Sequence, residues 1–277
     1  MRRRYIVEAL LKEVSQNLQT YNIPRASREA QLLLMAYLQK DELWLLTNQK
    51  SEIEVDNTFF EWVDRRSKNE PFEYIINRVS FYSQEFYIDE RALIPRPETE
   101  LLVDEVIKNV EDKNTKMTFV EVGVGSGIIS IILAKNFPNA RFIAVDISPK
   151  ALLVAKKNIE KFGLEKRIAL REGSLLGSVD EKIDYLVSNP PYIADNEPLE
   201  TNLSYEPKNA LFGGKIGDEI IQKLLDEVLK QKIKLFSCEM GYDQKDKIHS
   251  YLQNKEIKSL KFYQDYSSFD RGFTLKV

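Results

Sequence analysis

The 277-residue sequence has one cysteine, one histidine and no excess of either charge, with 40 Lys and Arg against 43 Asp and Glu. A single cysteine excludes an intramolecular disulfide and a cysteine-based zinc site. His249 as the only histidine excludes a two-histidine metal motif. No apolar run reaches the roughly 18 residues of a membrane span, and the basic residues 2–4 precede an amphipathic segment, so we expect no signal peptide. The sequence predicts a cytoplasmic protein with no metal and no membrane partner.

The net charge of -3 also argues against an extended phosphate-binding surface, which normally requires a basic excess. At 43% hydrophobic and 30% charged residues, the composition is typical of folded domains. The length suggests two domains, or one large domain with an appendage.

Residues 1–75 are predicted to form a small all-α bundle. Apolar residues from Ile6 to Leu18 recur at helical spacing. Ser27, Asp41 and Asp56 each precede another apolar helical stretch and are predicted N-caps. In residues 76–97, aromatic and β-branched residues flank a polar stretch at 83–85, which predicts a β-hairpin linking two domains.

Residues 98–277 alternate between strand and helix patterns, as expected for a parallel sheet with helices on both faces. Two strand-like runs at 260–266 and 272–277 have no helix between them and predict an antiparallel hairpin at the sheet edge. The predicted fold is therefore α/β: a doubly wound, mostly parallel seven-stranded sheet, preceded by the helical bundle and the hairpin. The predicted strands cover residues 118–122, 141–146, 167–171, 184–188, 233–238, 260–266 and 272–277.

A glycine-rich stretch ends the first of these strands and opens a helix. It runs Gly123-Val124-Gly125-Ser126-Gly127, and glycines allow a ligand to approach the backbone closely. The glycines alone are equally consistent with an ordinary turn. Asp146 ends the second strand about 20 residues later, where a carboxylate could accept hydrogen bonds from ribose hydroxyls. It could instead cap the next helix, although Ser148 competes for that role.

The tetrapeptide Asn189-Pro190-Pro191-Tyr192 follows the fourth strand and is the most specific feature of the chain. A planar NH₂ group has two donors, and the Asn189 side-chain carbonyl and the Pro190 backbone carbonyl could accept both. Tyr192 would supply an aromatic wall for a flat group. Together with the glycine loop and Asp146, the tetrapeptide resembles S-adenosylmethionine-dependent methyltransferases that act on planar nitrogens. Adenine-N6 DNA methyltransferases share this tetrapeptide type.

Further segments resemble a narrower family, the release-factor glutamine methyltransferases (PrmC/HemK). They are Leu93-Ile-Pro-Arg-Pro-Glu-Thr-Glu100, Glu70-Pro71-Phe-Glu-Tyr74 and Tyr205-Glu206-Pro207. The resemblance covers essentially the whole chain. It implies a substrate-recognition domain at 1–75, a hairpin linker at 76–97 and a Rossmann-like methyltransferase domain at 98–277.

The resemblance also implies which residues form the site. The catalytic residues would be Asn189, Pro190 and Tyr192, with Pro191 joining them in substrate binding. S-adenosyl-L-methionine would lie against the glycine loop, Asp146 and Asn189. Its expected contacts are Gly123, Val124, Gly125, Ser126, Gly127, Asp146, Leu175 and Asn189, followed by Glu121, Ile147, Ser174, Arg96 and Thr99.

The chain departs from the family pattern at two positions. Glu121 stands where an aspartate is usual, and Ser174 stands where an acid commonly reaches the adenine amino group. Glu239 ends the fifth strand, is compatible with a structural role and is not included among the predicted site residues.

The family implies methyl transfer to the side-chain amide nitrogen (N5) of a glutamine in the Gly-Gly-Gln loop of peptide chain release factors. The alternative is methylation of an exocyclic amino group in DNA or RNA, which the charge balance disfavours. A third possibility, a non-catalytic binding module, conflicts with the intact motifs. We expect a release factor as protein partner, no nucleic-acid substrate and a monomeric enzyme.

Overall fold

A computed structural model describes residues 2–199 and 201–277. The chain divides into two compact units. The first contains the described residues up to Asn77 together with the 3-10 turn Thr201–Tyr205. The second contains Arg78–Leu199 and Glu206–Val277.

The first unit is built mainly from helices around one apolar core. Its largest buried side chains include Leu10, Leu18, Leu33 and Phe59, contributed by the first, second and fourth helices. These positions follow the helical spacing of the sequence. Its elements are β1 (Arg3–Ile6), α1 (Val7–Thr20), α2 (Ala26–Leu38), α3 (Glu42–Thr47), β2 (Glu52–Val55), α4 (Asn57–Ser67) and α5 (Phe72–Ile76).

The structure corrects two details of the predicted bundle. Strands β1 and β2 pair antiparallel, so Ile6 belongs to a strand and is exposed rather than buried on a helix face. Ser27 does not cap α2, which begins after Arg25 in the left-handed region, because the Ser27 hydroxyl lies 2.9 Å from that of Ser15. The other two predicted caps are confirmed: Asp41 accepts from Trp44 N–H at 2.7 Å, and Asp56 accepts from Thr58 N–H at 3.0 Å.

The second unit begins with the predicted hairpin, formed by β3 (Val79–Phe81) and β4 (Gln84–Phe86). Its turn residues Tyr82 and Ser83 both have positive φ, 52° and 56°, as two-residue hairpin turns with the twist of the flanking strands require. Phe86 is fully buried and packs against Phe162 with 4.9 Å between ring centroids. The hairpin is therefore held by aromatic packing within this unit.

A seven-stranded sheet forms the centre of the second unit, in the order β12-β13-β11-β8-β5-β6-β7. Strands β11, β8, β5, β6 and β7 run parallel to one another. Strand β13 pairs antiparallel with both β11 and β12. This confirms the predicted fold, including the antiparallel edge. The sheet strands are β5 (Thr118–Val122), β6 (Arg141–Asp146), β7 (Ile168–Glu172), β8 (Tyr185–Ser188), β11 (Leu235–Glu239), β12 (Ser259–Gln264) and β13 (Asp270–Lys276).

Helices connect these strands, and two short strands lie after β8. The helices are α6 (Thr99–Asn109), α7 (Ile128–Asn136), α8 (Pro149–Lys161), α9 (Glu219–Gln231) and α10 (Lys245–Leu252). The short parallel pair is β9 (Ile193–Ala194) with β10 (Phe212–Gly214). No helix in the described ranges is long and apolar enough to cross a membrane.

The register of the sheet brings several strand ends together. Val122 of β5 pairs with Val145 of β6 and with Ser188 of β8, which in turn pairs with Cys238 of β11. The residues that follow, including the glycine loop, Asp146, Asn189 and Glu239, therefore meet at the carboxyl edge of the sheet. Open α/β sheets bind ligands at this edge.

Candidate active site

The glycine loop between β5 and α7 follows the pattern expected of a ligand cradle. Gly123, Gly125 and Gly127 have φ values of +77°, +51° and +83°, which side-chain-bearing residues rarely adopt. A Cβ on Gly127 would lie 3.3 Å from the Cα of Ala155 on α8. The third glycine thus allows close packing of the loop on a helix, while the first two leave the loop open.

Asp146 is buried and organises this loop. Its Oδ2 accepts from Gly125 N–H and its Oδ1 from Ser148 N–H, each at 2.9 Å. Burial raises the pKa of Asp146, although the backbone N–H groups of Gly125, Ser148 and Ile147 oppose the shift. Ser148 accepts from Ala151 N–H at 3.2 Å and so caps α8, as predicted. Asp146 is consequently not needed as the cap.

Glu121 lies beneath the loop, at 1% exposure. Its Oε2 accepts from the backbone N–H of Ser130, at 2.9 Å, and from the Ser130 hydroxyl. Burial raises the pKa of Glu121 to about 8, and the nearby Asp146 carboxylate adds to the shift. The longer side chain at this family position therefore reaches the first turn of α7 rather than the cleft described below.

The Asn189 side chain is held by a hydrogen bond to Thr99, at the start of α6. Its Nδ2 donates to the Thr99 hydroxyl at 3.1 Å, and that hydroxyl donates to Glu239 Oε2 at 2.7 Å. The Tyr192 hydroxyl donates to Glu239 Oε1 at 3.3 Å. Glu239 is thus joined to two residues of the tetrapeptide, one directly and one through Thr99, a connection that the sequence pattern did not indicate.

The backbone of the tetrapeptide packs closely against two glycines, Gly213 and Gly217. A Cβ on Gly213 would lie 2.4 Å from the Pro191 carbonyl oxygen, and one on Gly217 would lie 2.4 Å from that of Tyr192. The same Tyr192 carbonyl accepts from Gln244 Nε2 at 3.0 Å. The tetrapeptide is therefore fixed by close packing as well as by its own prolines.

Arg96 takes part in an ion pair near the start of α6. Its Nη2 donates to Glu206 Oε1 at 2.5 Å, and Glu206 Oε2 accepts from Ile94 N–H at 3.0 Å. Glu206 is almost fully buried. Two of the quoted family segments, 93–100 and 205–207, are thus joined at Glu206.

These elements surround a cleft of about 820 Å³, part of it open to solvent. Its walls are mainly apolar, as in most small-molecule sites. The predicted site residues that line it are Gly123, Gly125, Asp146, Ile147, Ser174, Leu175, Asn189, Pro190 and Pro191.

The other predicted site residues lie outside the cleft lining. Val124 and Ser126 shape the loop: the N–H of Val124 donates to Val145, and the carbonyl of Ser126 accepts from Asn158. The remaining five are Arg96, Thr99, Glu121, Gly127 and Tyr192. Their contacts, described above, are with other residues of the site or of the elements around it.

The cleft also has walls that the sequence interpretation did not include. Leu93 is the first residue of the Leu93–Glu100 segment, and Pro207 belongs to the Tyr205-Glu206-Pro207 motif, so both could have been inferred from those motifs. Asn209 and Ala210 follow in a 3-10 turn and carried no signal. Among residues 2–199 and 201–277, no cluster of His, Cys, Asp or Glu could hold a metal ion.

Comparison with known proteins agrees with this architecture. Residues 9–76 match the PrmC N-terminal domain, and residues 97–211 match the methyltransferase small domain. A release factor glutamine methyltransferase of Clostridium acetobutylicum is 33% identical, with 96% of each chain covered. One from Dictyoglomus turgidum is 38% identical, over 86% of this chain and 83% of its own length.

A solved structure with the same fold is the catalytic domain of human METTL16 in complex with an RNA hairpin. It superposes with a TM-score of 0.57 at 15% identity, with 79% of each chain covered. At that identity the likeness shows the fold only. The two sequence relatives and the two family matches show more: the chain belongs to the release factor glutamine methyltransferase family.

Proposed function

We propose that the protein transfers a methyl group from S-adenosyl-L-methionine to the side-chain amide nitrogen (N5) of a glutamine in the Gly-Gly-Gln loop of peptide chain release factors. The observation that carries the proposal is the placement of Asn189 and Pro190 on the wall of the cleft, beside the glycine loop. Family membership supports the substrate, since relatives covering nearly the whole chain are named release factor glutamine methyltransferases.

The residues of the cleft fit S-adenosylmethionine. Gly123 and Gly125 present backbone without side chains, and the buried Asp146 carboxylate lines the same cleft, as ribose recognition requires. Ile147 and Leu175 provide apolar wall for a nucleoside. Ser174 lies on the lining, where its hydroxyl could accept a hydrogen bond in place of the family's usual acid. When bound, S-adenosylmethionine would supply an electrophilic methyl group on a positively charged sulfur: the methyl–sulfur bond would break as the carbon–nitrogen bond forms, S-adenosylhomocysteine would leave with the electron pair, and the nitrogen would lose one proton to solvent.

The residues of this chain would act mainly by orienting the glutamine amide. Its nitrogen is a poor nucleophile because the lone pair is delocalised into the carbonyl. Asn189 Oδ1 and the Pro190 carbonyl would each accept one N–H, which fixes the plane of the NH₂ group. Positioning of this kind is worth at most about 7–11 kcal/mol. Both acceptors also stabilise the positive charge that develops on the nitrogen.

The other parts of the molecule take roles consistent with this chemistry. We assign substrate recognition to the helical residues 1–75, a linker to 76–97 and catalysis to 98–277. A release-factor substrate would place the enzyme in the cytoplasm, and we expect it to act as a monomer. Nucleic acid is not the proposed substrate, because the net charge of -3 offers no general phosphate-binding surface.

Mass spectrometry of treated substrates tests the proposal. Purified release factor, DNA and RNA would each be incubated with the protein and S-adenosylmethionine. The expected result is one added methyl group on the glutamine of the release factor Gly-Gly-Gln loop and none on either nucleic acid. Methylation of nucleic acid alone would overturn the proposal.

Asn189→Ala tests the assignment of the amide acceptor. The variant removes one of the two acceptors, so we expect it to abolish transfer while retaining part of the affinity for the cofactor, measured by calorimetry. Normal turnover by this variant would contradict the role of Asn189.

A further inference from the structure

A continuous series of hydrogen bonds connects the Asn189 amide to a buried carboxylate. Asn189 Nδ2 donates to Thr99 Oγ1 at 3.1 Å, and Thr99 Oγ1 donates to Glu239 Oε2 at 2.7 Å. Thr99 and Glu239 are each 2% exposed, and neither lines the cleft. Of the side chains bonded to them here, Asn189 lines the cleft and Tyr192 does not, so their influence on a ligand in the cleft must pass through Asn189.

We propose that Glu239 and Thr99 are positioning residues that hold the Asn189 amide in one of its two orientations, with the NH₂ group turned inward and Oδ1 left for the substrate. The proposal rests on the proposed function, because Oδ1 is the atom assigned there to the glutamine NH₂. It assigns a role to Glu239, which is not among the site residues predicted from the sequence.

The direction of the series follows from the protons that each group carries. An ionised carboxylate can only accept, so the single hydroxyl proton of Thr99 is committed to Glu239. The Thr99 oxygen can then only accept from Asn189, and the group facing it must be the NH₂. The reverse orientation would set two oxygens against each other at Thr99 and would present the NH₂ of Asn189 to the NH₂ of the substrate.

The state of Glu239 therefore matters for the orientation of Asn189. Burial raises the pKa of Glu239 to about 7, with the bonds from Thr99 and Tyr192 opposing the shift. A protonated Glu239 no longer obliges Thr99 to donate towards it, and both Asn189 orientations become possible. The titratable and charged groups facing Glu239 are Glu98 at the start of α6, Tyr192 after β8, Cys238 on β11, Tyr263 on β12 and Arg271 on β13.

Glu98 raises the pKa of Glu239 further, whereas Arg271 lowers it. Burial raises the pKa values of Cys238, Tyr192 and Tyr263, so these three groups stay neutral near pH 7. Of these four groups whose pKa burial raises, Glu239 is thus the one whose ionisation changes near neutral pH. Below about pH 7 it gains a proton, and we expect the rate of methyl transfer to fall there.

Substitutions at Thr99 separate this role from simple packing. Thr99→Val keeps the shape and removes the hydroxyl, and we expect kcat to fall by at least about tenfold, the equivalent of one hydrogen bond of ordinary strength. Thr99→Ser restores a hydroxyl and should recover most of the lost rate. Thr274→Val, a buried threonine on β13 bonded to Ser237 at 3.1 Å, is the matched control and should leave kcat unchanged.

A pH profile and an NMR measurement give independent evidence. We expect kcat of the wild-type enzyme to decline below about pH 7 and Glu239→Gln to lack that decline. In the protein without substrate, the side-chain NH₂ signal of Asn189, identified by its loss in Asn189→Ala, should shift in Thr99→Val but not in Thr274→Val.

The outcomes distinguish this proposal from the proposed function. A wild-type protein that methylates no release factor contradicts the function, whereas the NMR shift still reports the hydrogen-bond series. An active wild type with unchanged kcat in folded Thr99→Val overturns the positioning role. So does a Thr99→Val variant that loses cofactor affinity but keeps kcat, since Thr99 would then act on the cofactor.

Discussion

A methyl group added at Gly213 should disable transfer without entering the cleft. Gly213 belongs to β10 and lies against the backbone of the Asn-Pro-Pro-Tyr segment. In Gly213→Ala the new Cβ would lie 2.4 Å from the Pro191 carbonyl oxygen and 2.5 Å from that of Gly217, whereas ordinary contacts are 3.4–4 Å. The backbone on one side must therefore move by about 1 Å, because both obstructing atoms are main-chain atoms.

The size of the effect follows from what that displacement moves. Pro191 is bonded to Pro190, whose carbonyl is one of the two proposed acceptors for the glutamine NH₂. A misplacement of about 1 Å at a positioned group can cost about 10²-fold in rate, and overpacking of this kind destabilises the fold by about 1–3 kcal/mol. We expect kcat to fall by about 10²-fold and cofactor affinity to be largely retained.

The assay compares kcat on release factor, cofactor affinity by calorimetry and the unfolding free energy for Gly213→Ala and a matched variant. Gly163→Ala is the control, since its Cβ would meet no atom within 4 Å. It carries its own strain of about 1–2 kcal/mol at a φ of +67° and so controls for lost stability. A folded Gly213→Ala protein with wild-type kcat would refute the reasoning.

Two further predictions concern stability. Burial raises the pKa of Glu121 to about 8 from 4.5, so between these pH values the folded chain holds a proton that the unfolded chain releases. The unfolding free energy should therefore fall as pH rises through this range. In denaturant titrations, Glu121→Gln should reduce the dependence of the unfolding free energy on pH by about one proton, and an unchanged dependence would contradict the assignment. Asn158 is fully buried, accepts from Tyr87 N–H at 2.8 Å and donates to the carbonyls of Tyr87 and Ser126 at 2.9 and 2.8 Å. Asn158→Ala should cost about 3 kcal/mol of unfolding free energy, at about 1 kcal/mol for each lost bond, and a loss below about 1 kcal/mol would show that the three bonds contribute little.

The sheet could be predicted closely because its strands are buried runs with strong local signals. The predicted strands at 118–122 and 141–146 coincide with β5 and β6. The pairing of β1 with β2 was missed, since Arg3 and Arg4 are exposed and only the partner strand 50 residues away makes them a strand. Ser27 was misassigned as a cap because its pattern suits one, but the helix start is instead set by Arg25 in the left-handed region.

The residues of the cleft could be predicted from the sequence where they belong to short contiguous motifs, as in the glycine loop and the tetrapeptide. Asn209 and Ala210 line the same cleft through folds of the chain that no local pattern specifies. The contact of Glu239 with the site could not be predicted from the sequence either. Its partner Thr99 lies 140 residues away, and the two residues meet only when α6 packs beside β11.

The tetrapeptide has one property that its own sequence determines and another that depends on residues distant in the chain. The proposed type of acceptor, an amide oxygen followed by a proline carbonyl, is local, and the resemblance drawn from the sequence implies that enzymes acting on amino groups of bases and on amides of proteins share it. The orientation of the Asn189 amide is not local, since the hydroxyl of Thr99 and the carboxylate of Glu239 determine which of its ends faces inward. A sequence with Asn-Pro-Pro-Tyr but without such a hydrogen-bonded series would possess the acceptor and lack the means to keep it turned to the substrate. Under the proposed function, the tetrapeptide therefore indicates the class of reaction, while the buried hydrogen-bond series determines whether Asn189 can take part.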